Sequence, residues 1–213
     1  MNIAKKIHSE VKTDVIPLEI FNSIFFDKSE DARGALLKRA CQKGELIRIK
    51  NGLYLLDEED RRFGFSMYTL ANFMVRPSYI SLETALSYYG LIPEGVYTTT
   101  SVTTKRPSEW ESPLGRFSFS HLKQNYFDFG FYQIKNGPVS YLMATPLKAI
   151  IDYIVIMKKK YKCVEDIIED LRFDWDEFVT YKEFVNTEAF DQMLVRYKSH
   201  RLQVILKDMR KRL

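Results

Sequence analysis

The chain has 213 residues, a length that suits one large domain or two small ones. Its composition, with 46% hydrophobic and 14% aromatic residues, provides enough apolar surface for a core and excludes global disorder, and no apolar run approaches the ~20 residues that would span a bilayer. The formal net charge of +4 is a mild excess that does not by itself predict a nucleic-acid partner, so the distribution of positive charge matters more than its sum.

Three helices are predicted at the N-terminus. Apolar residues spaced by four predict a short helix over 2–12. Pro17 begins a second helix, because the first turn of a helix does not need the N–H that proline lacks. Ser29 caps a third helix, which has acidic residues in its first turn and ends at Gly44.

A β-hairpin follows the third helix directly. Predicted strands over 46–50 and 53–56 flank Asn51-Gly52, and this dipeptide favours a type I′ turn in which both central residues have positive φ. The order of three helices and a hairpin predicts a winged helix-turn-helix DNA-binding domain over residues 1–57.

The rest of the chain is predicted to form a second domain over 63–213. The charged run over 57–62 has no apolar periodicity, and we expect it to link two independently folding domains. The second domain divides into a sheet-containing core over about 78–157 and a helical tail over 163–213. Its predicted elements are a helix from Ser81 to Gly90, strands over 98–104 and 117–121, a hairpin of 132–135 and 139–144 around Asn136-Gly137, and a helix from Thr145 to about Met157. The expected fold class is α+β: a winged helix-turn-helix, then a mixed α/β domain with a helical C-terminus.

The third helix has the surface expected of a recognition helix. On a wheel of about 100° per residue, small, basic and amide side chains gather on the outer face. Lysine and arginine reach phosphates or guanine, and glutamine can pair with adenine. The buried face is predicted to be Ala32, Leu36, Leu37 and Ala40. The residues predicted to bind DNA are Lys28, Ser29, Ala35, Lys38, Arg39, Gln42, Lys43, Arg48, Lys50 and Asn51.

Two local questions remain open in this segment. Arg48 and Lys50 alternate with Ile47 and Ile49, which predicts one basic face on the hairpin. The competing interpretation is a solvated helix face beside a charged hairpin, but the order of elements favours DNA binding. Arg33 falls near the buried side of the wheel, so either the helix begins later or this side chain turns back toward the backbone.

Two further groups of basic residues lie outside the N-terminal segment. In the second domain, Lys105, Arg106, Arg116 and Lys123 occur among Trp110, Phe117, Phe119, Tyr126 and Phe127. They form either a surface for RNA, flanking DNA or a protein partner, or the solvent face of a small sheet whose core is aromatic. The last helix is basic and amphipathic and suits a DNA contact, a dimer contact or a solvated face equally: its basic residues are Lys198, His200, Arg201, Lys207, Arg210, Lys211 and Arg212.

No motif for catalysis or metal binding is found. His8, His121 and His200 are spread along the chain, without the spacing of a metal site. Phosphate-binding glycine loops are absent, and no serine or cysteine is matched to a histidine. We therefore expect no metal, no cofactor and no enzymatic activity. Cys41 and Cys163 belong to no C-x-x-C pair, which is typical of reduced thiols, and with no signal peptide evident we expect a cytoplasmic protein without membrane partners.

Five segments carry more specific patterns. They are GALLKRA, KGELIR and NGLY within 34–54, YISLETALSYYGLIPE over 79–94, TSVTTKR over 100–106, PLGRFSF over 113–119 and ATPLKAIID over 144–152. In this order, they resemble the AbiEi-type antitoxins of abortive-infection toxin–antitoxin systems. The resemblance covers about residues 15–160, and the remaining C-terminal residues match no motif.

The resemblance implies a two-domain antitoxin and autoregulating transcriptional repressor of a phage-defence operon. Its winged helix would bind inverted repeats in promoter DNA, where two copies could form a dimer. Its C-terminal part would neutralise a cognate nucleotidyltransferase-type toxin, with or without direct contact. The alternative functions are a winged-helix protein whose second domain processes nucleic acid, and one whose second domain binds proteins.

Overall fold

The computed structural model describes residues 3–62, 64–137 and 139–213. Within them the chain is mixed α+β, with eleven α-helices, one short 3-10 helix and two β-sheets. Asn2, the expected start of the first helix, and Phe63, the expected start of the second domain, lie outside the described residues. In the described part of the chain, no helix has the length and apolar character required to cross a bilayer.

The N-terminal unit combines three helices with a three-stranded sheet. Its elements are α1 (Ile3–Glu10), β1 (Val15–Pro17), α2 (Leu18–Ile24), α3 (Glu30–Gln42), β2 (Leu46–Lys50) and β3 (Leu53–Leu56). Strand β3 lies between β1 and β2, and both pairings are antiparallel. The three helices and the hairpin agree with the sequence prediction. Strand β1 was not predicted, because three residues are too few to show a period-two pattern.

The turn between β2 and β3 differs from the predicted type I′ geometry. Gly52 has a φ of +78°, but Asn51 does not have a positive φ. The strand register also shifts between Arg48 and Lys50. One left-handed glycine with an extra residue in one strand is typical of a bulged hairpin loop, and this irregularity interrupts the alternation on which the shared basic face was predicted.

The second unit is built around a six-stranded sheet. Its elements are α4 (Met67–Met74), β4 (Ser78–Ile80), α5 (Leu82–Tyr88), β5 (Thr98–Thr103), β6 (Ser108–Ser112), β7 (Gly115–His121), α6 (Gln124–Phe127), β8 (Phe131–Asn136), β9 (Val139–Ala144) and α7 (Pro146–Ile156). The strand order is β6-β7-β5-β4-β9-β8, with β5–β7 and β4–β9 parallel and the other pairs antiparallel. The sequence prediction missed α4, β4, α6 and β6, which are short or carry no periodic pattern.

Helix α7 is the most deeply buried helix segment of this unit. Thr145 caps it by accepting a hydrogen bond from the backbone N–H of Lys148 at 3.3 Å, and Pro146 occupies the first turn, as predicted. Every residue over 146–154 is buried. A helix that is buried all round needs neighbours on every side, which the sheet, α5 and the C-terminal helices supply.

The predicted helical tail is present and belongs to the core of the second unit. It comprises α8 (Val164–Leu171), α9 (Trp175–Thr180), α10 (Thr187–Arg196) and α11 (His200–Lys211). Phe178, Phe190 and Leu206 are fully buried among the residues of the main core. The tail therefore completes the core.

The two units share an apolar junction. Val15, Ile49, Leu53 and Leu55 come from the N-terminal sheet, yet they are at most 6% exposed and belong to the core of the second unit. Strand β2 also lies against β6. In the predicted linker, a 3-10 turn forms over Glu58–Asp60, and Arg62 donates a hydrogen bond to the carbonyl of His8 at 2.7 Å. This shared core argues against the independent folding expected for the two segments.

Candidate nucleic-acid interface

Helix α3 is defined by local signals at both ends. Ser29 accepts a hydrogen bond from the backbone N–H of Ala32 at 3.3 Å, which caps the helix where predicted. Gly44 follows the last turn with a φ of +77°, a conformation that favours glycine. Arg33 turns back and donates to the carbonyl of Lys28 at 2.7 Å, which answers the question left open by the wheel.

The outer face of α3 is exposed as predicted. The exposed predicted residues in this helix and at its ends are Ser29, Ala35, Lys38, Arg39, Gln42 and Lys43. The buried face is partly different, because Ala32 is exposed and Arg33 takes its place in the half-buried stripe. That stripe continues through Leu36 and Leu37 to the buried Ala40. The first turn of α3 therefore extends beyond the core of the N-terminal unit, and Ala32 in this turn is left exposed.

An open groove separates α3 from the hairpin. It has a volume of about 530 Å³ and is lined by Gly34, Leu37, Lys38, Cys41, Gln42, Arg48, Asn51 and Tyr54. Arg48 Nη2 donates to Asn51 Oδ1 at 3.2 Å, so this guanidinium is oriented along the exposed hairpin. Burial raises the pKa of the Cys41 thiol, although the nearby Arg48 opposes the shift. The groove therefore combines cations from two elements with a cysteine thiol.

Two of the ten predicted residues are less accessible than expected. Lys28 is half-buried, and its ammonium lies 3.5 Å from Asp27. Lys50 is half-buried against the second unit, with Nζ 5.1 Å from the centre of the Trp110 ring. Arg48 and Lys50 thus contact different neighbours, one on the hairpin and one across the junction.

The predicted basic cluster of the second unit is divided between two ends of β7. Lys105 and Lys123 are exposed near one end, where His121 Nδ1 lies 3.0 Å from the carbonyl oxygen of Lys105. Arg106 is exposed in the same loop. Arg116 lies five residues back along β7, roughly 16 Å away, where it pairs with Glu111 at 3.4 Å. Arg116 therefore lies apart from the other three basic residues, which are exposed near one end of the strand.

The aromatic residues of this region follow the alternative interpretation. Phe117, Phe119 and Phe127 are buried in the core. Tyr126 is half-buried and stacks on Tyr197 with ring centres 4.5 Å apart. Of the five aromatic residues singled out, only Trp110 has a substantial exposed surface, at 37%. Most of this set therefore supports the sheet and offers no stacking surface to a nucleic acid.

The basic C-terminal helix is partly neutralised by internal ion pairs. Arg210 contacts Asp191 at 2.7 Å, and Arg212 contacts Glu165 at 2.5 Å. These contacts tie α11 to α10 and α8. Lys198, His200, Lys207 and Lys211 remain exposed, while Arg201 is half-buried. Two of the seven basic residues, Arg210 and Arg212, therefore stabilise the packing of the tail helices.

A buried polar cluster in the second unit was not predicted. Lys148 and Asp152 form an ion pair one turn apart on α7, and both are 0% exposed. Lys148 Nζ also donates to the hydroxyl of Tyr79 at 2.7 Å, and that hydroxyl donates to Asp152 at 2.9 Å. Ser81 donates to the same carboxylate at 2.9 Å, and the Tyr197 hydroxyl lies 3.4 Å from it. We call these five residues the Asp152 cluster.

The Asp152 cluster has the properties of a structural network. Burial lowers the pKa of Lys148 and raises that of Tyr79 well above its usual value. With both charges fully buried, no substrate reaches them in this conformation. Tyr79 and Ser81 come from the motif over 79–94, while Lys148 and Asp152 come from the motif over 144–152. In the sequence, this cluster is indicated by Lys148 and Asp152, a charged pair spaced by four within an otherwise apolar helix.

Other chemistry at this interface is limited. Within residues 3–62, 64–137 and 139–213, no three His, Cys, Asp or Glu side chains are arranged to hold a metal ion. Cys41 and Cys163 are free thiols.

No protein-family model matches the chain, and a search of curated proteins finds no match. The five motif segments are therefore the basis for any family resemblance.

Proposed function

We propose that residues 3–57 form a winged helix-turn-helix that binds duplex DNA, with α3 in the major groove and the β2–β3 hairpin as the wing. The observation that carries the proposal is the outer face of α3. Lys38 and Arg39 are exposed there and pair with no carboxylate of the described residues. No acidic residue occurs over 32–44. The exposed face of α3 is therefore positively charged, and no neighbouring carboxylate compensates this charge. Such a face suits duplex DNA, which is a polyanion with a major groove wide enough for a helix.

The order of elements supports this proposal. The recognition helix of a helix-turn-helix follows a shorter helix after a tight turn, as α3 follows α2. The hairpin then returns beside the C-terminal end of α3, so that Gln42 and Arg48 line the same groove. A duplex that seats α3 in its major groove would thus meet the hairpin at its backbone.

The side chains divide by the contacts they can make. Arg39 and Gln42 can form bidentate contacts with guanine and adenine, respectively, in the major groove. Lys38, Lys43 and Arg48 provide cations for phosphates, which position the protein without reading the sequence. This division assigns base preference to the helix and general affinity to the flanking cations.

We further propose that the protein is an autoregulating repressor and the antitoxin of a toxin–antitoxin operon, acting by binding and not by catalysis. The resemblance of the five motif segments to AbiEi-type antitoxins supports this role. The N-terminal unit would bind promoter repeats, and the second unit would neutralise a nucleotidyltransferase-type toxin. The Asp152 cluster would then maintain the fold of the second unit.

The proposal is tested with the full chain and the duplex that precedes its reading frame. Binding should weaken steeply as salt rises, because each neutralised phosphate contributes about −0.9 to the slope of log K against log salt. Arg39→Ala with Gln42→Ala should reduce the preference for that duplex over a scrambled one by about 1–3 kcal/mol per lost bidentate contact. Fluorescence anisotropy on both duplexes measures each effect.

A matched control replaces exposed lysines elsewhere, Lys160→Ala with Lys182→Ala, and should leave both quantities unchanged. Binding that is insensitive to salt, or equally affected by the control, contradicts the proposal. Co-expression with the nucleotidyltransferase-type toxin that the proposal requires separates the two roles. Lys38→Ala with Arg39→Ala should abolish promoter repression while preserving growth rescue.

A further inference from the structure

A lysine and an indole meet at the junction between the hairpin and the second sheet. Lys50 ends β2, and its Nζ lies 5.1 Å from the centre of the Trp110 ring in the middle of β6. A cation over an indole face is attracted by the ring quadrupole. The ring is held in turn, because Trp110 Nε1 donates to Ser108 Oγ at 3.2 Å.

The backbone on either side of this contact is also fixed. Ile49, the neighbour of Lys50, is 3% exposed and packs into the core of the second unit. Trp110 pairs with Phe117 of β7, whose side chain is buried. Both members of the contact therefore stand on strands anchored by apolar packing.

Other charged residues lie near the contact between Lys50 and Trp110 and affect the pKa of the lysine. Burial lowers the pKa of Lys50, Lys105 lowers it further, and Glu19 opposes the shift. Lys105 is exposed in the loop after β5, and no ion pair joins either lysine to a carboxylate within the described residues. Lys50 is thus repelled by a cation of the other unit, and Glu19 offsets this repulsion only in part because its effect is the smaller one. A phosphate is an anion that would relieve this repulsion.

We propose that Trp110 is a positioning residue that holds Lys50 for contact with a DNA phosphate, so that the second unit sets the orientation of the wing. The inference rests on the proposed duplex binding and extends it to a residue outside the N-terminal unit. A free lysine loses rotamer freedom when it binds, whereas a lysine already held over a ring loses less. The indole therefore contributes to affinity without touching the DNA.

The test uses the full chain and a duplex of about three helical turns with arbitrary sequence, because a phosphate contact needs no operator. Lys50→Met should reduce the salt slope by about 0.9, and lower affinity roughly fivefold to tenfold near 0.1 M salt. Trp110→Thr, which removes the ring but suits a strand, should reproduce both changes. Trp110→Phe should retain most of the wild-type slope, because it keeps a ring face.

The double variant Lys50→Met with Trp110→Thr decides between positioning and general stabilisation. If Trp110 acts through Lys50, the double variant binds like either single variant. Losses that add, or a Trp110→Thr variant with the wild-type slope, overturn the inference. Tyr97→Ala, which removes an aromatic side chain that is 94% exposed, is the control for surface aromatic loss and should not change the slope.

A second measurement does not depend on the stability of Trp110→Thr. The chain has two tryptophans, so Trp175→Phe leaves Trp110 as the sole indole emitter. Duplex addition should change its emission, and Lys50→Met should remove that change. Emission that does not respond while the duplex binds overturns the inference and leaves the proposed function standing. No duplex binding by the wild type overturns both.

Discussion

The outer face of α3 and the Asp152 cluster place similar charged side chains in opposite surroundings. Lys38 and Arg39 are exposed, and neither pairs with a carboxylate among the described residues. Lys148 and Asp152 are 0% exposed and form their contacts with each other and with hydroxyl groups of the same unit. Exposed cations keep their hydration until a partner displaces it, whereas the buried pair has already exchanged water for protein partners.

Burial therefore separates the charged residues that are available to a partner from the charged residues that maintain the fold. The surface residues contribute little to folding, since exposed charges have weak mutual interactions. The buried residues can contribute little to binding, since no partner reaches them. Substitutions in the two regions should therefore affect different measurements.

The largest effect is expected from breaking the buried pair. Asp152→Ala leaves the Lys148 ammonium buried without its counter-ion and removes the acceptor of Tyr79 and Ser81. We expect a loss of about 3–5 kcal/mol in the free energy of unfolding, measured in urea. The fraction that remains folded should bind duplex DNA with unchanged affinity.

Two controls sharpen this result. Asp152→Leu combined with Lys148→Met removes both charges and should recover much of the loss, because no uncompensated ion remains. Asp170→Asn disrupts the exposed pair with Lys159 and should cost less than about 1 kcal/mol. A small cost for Asp152→Ala would show that the cluster is not essential to the fold.

The next effect concerns the junction between the two regions. Ile49 belongs to the hairpin but is 3% exposed within the core of the second unit. Ile49→Ala should cost about 2–5 kcal/mol. Because the core is shared, we expect one unfolding transition by both circular dichroism and Trp fluorescence. Two separate transitions would indicate independent units and would contradict the shared core.

The smallest expected effect is a pH dependence at the tail. The Arg212 side chain lowers the pKa of Glu165 from 4.5 to about 2, so the folded state favours the ionised carboxylate. The resulting stability is present above pH 4.5 and is lost as pH falls toward 2. Glu165→Gln should reduce stability slightly at neutral pH and converge with the wild type in acid. Glu169→Gln on the same helix is the control, and equal acid curves for all three proteins would rule out this contribution.

Much of the fold was predictable where its determinants are local. Ser29 and Gly44 mark the ends of α3, and Thr145-Pro146 marks the start of α7, because capping depends on residues within one turn. Strands β1, β4 and β6 were missed because they are short or polar and are defined by pairing with distant strands. The turn at Gly52 shows the same limit, since its bulge depends on the strand register.

The candidate sites divide in a similar way. The exposed face of α3 follows from helical periodicity, and six of the predicted residues are exposed in or beside this one helix. The Asp152 cluster could not be assembled from the sequence, because Tyr79 is 73 residues from its carboxylate partner and Tyr197 is 45 residues away. The meeting of Lys50 with Trp110 likewise depends on how two sheets approach each other.

The approach of β2 to β6 has a consequence for the behaviour of the chain in concentrated solution. Each is the edge strand of its own sheet, and an uncovered edge presents unpaired backbone groups to other molecules. By lying against each other, the two edges hinder strand addition from a second copy. Cutting the chain between the units would uncover both edges together with the apolar residues of the junction. Each fragment would then carry a template for aggregation that the intact chain keeps covered.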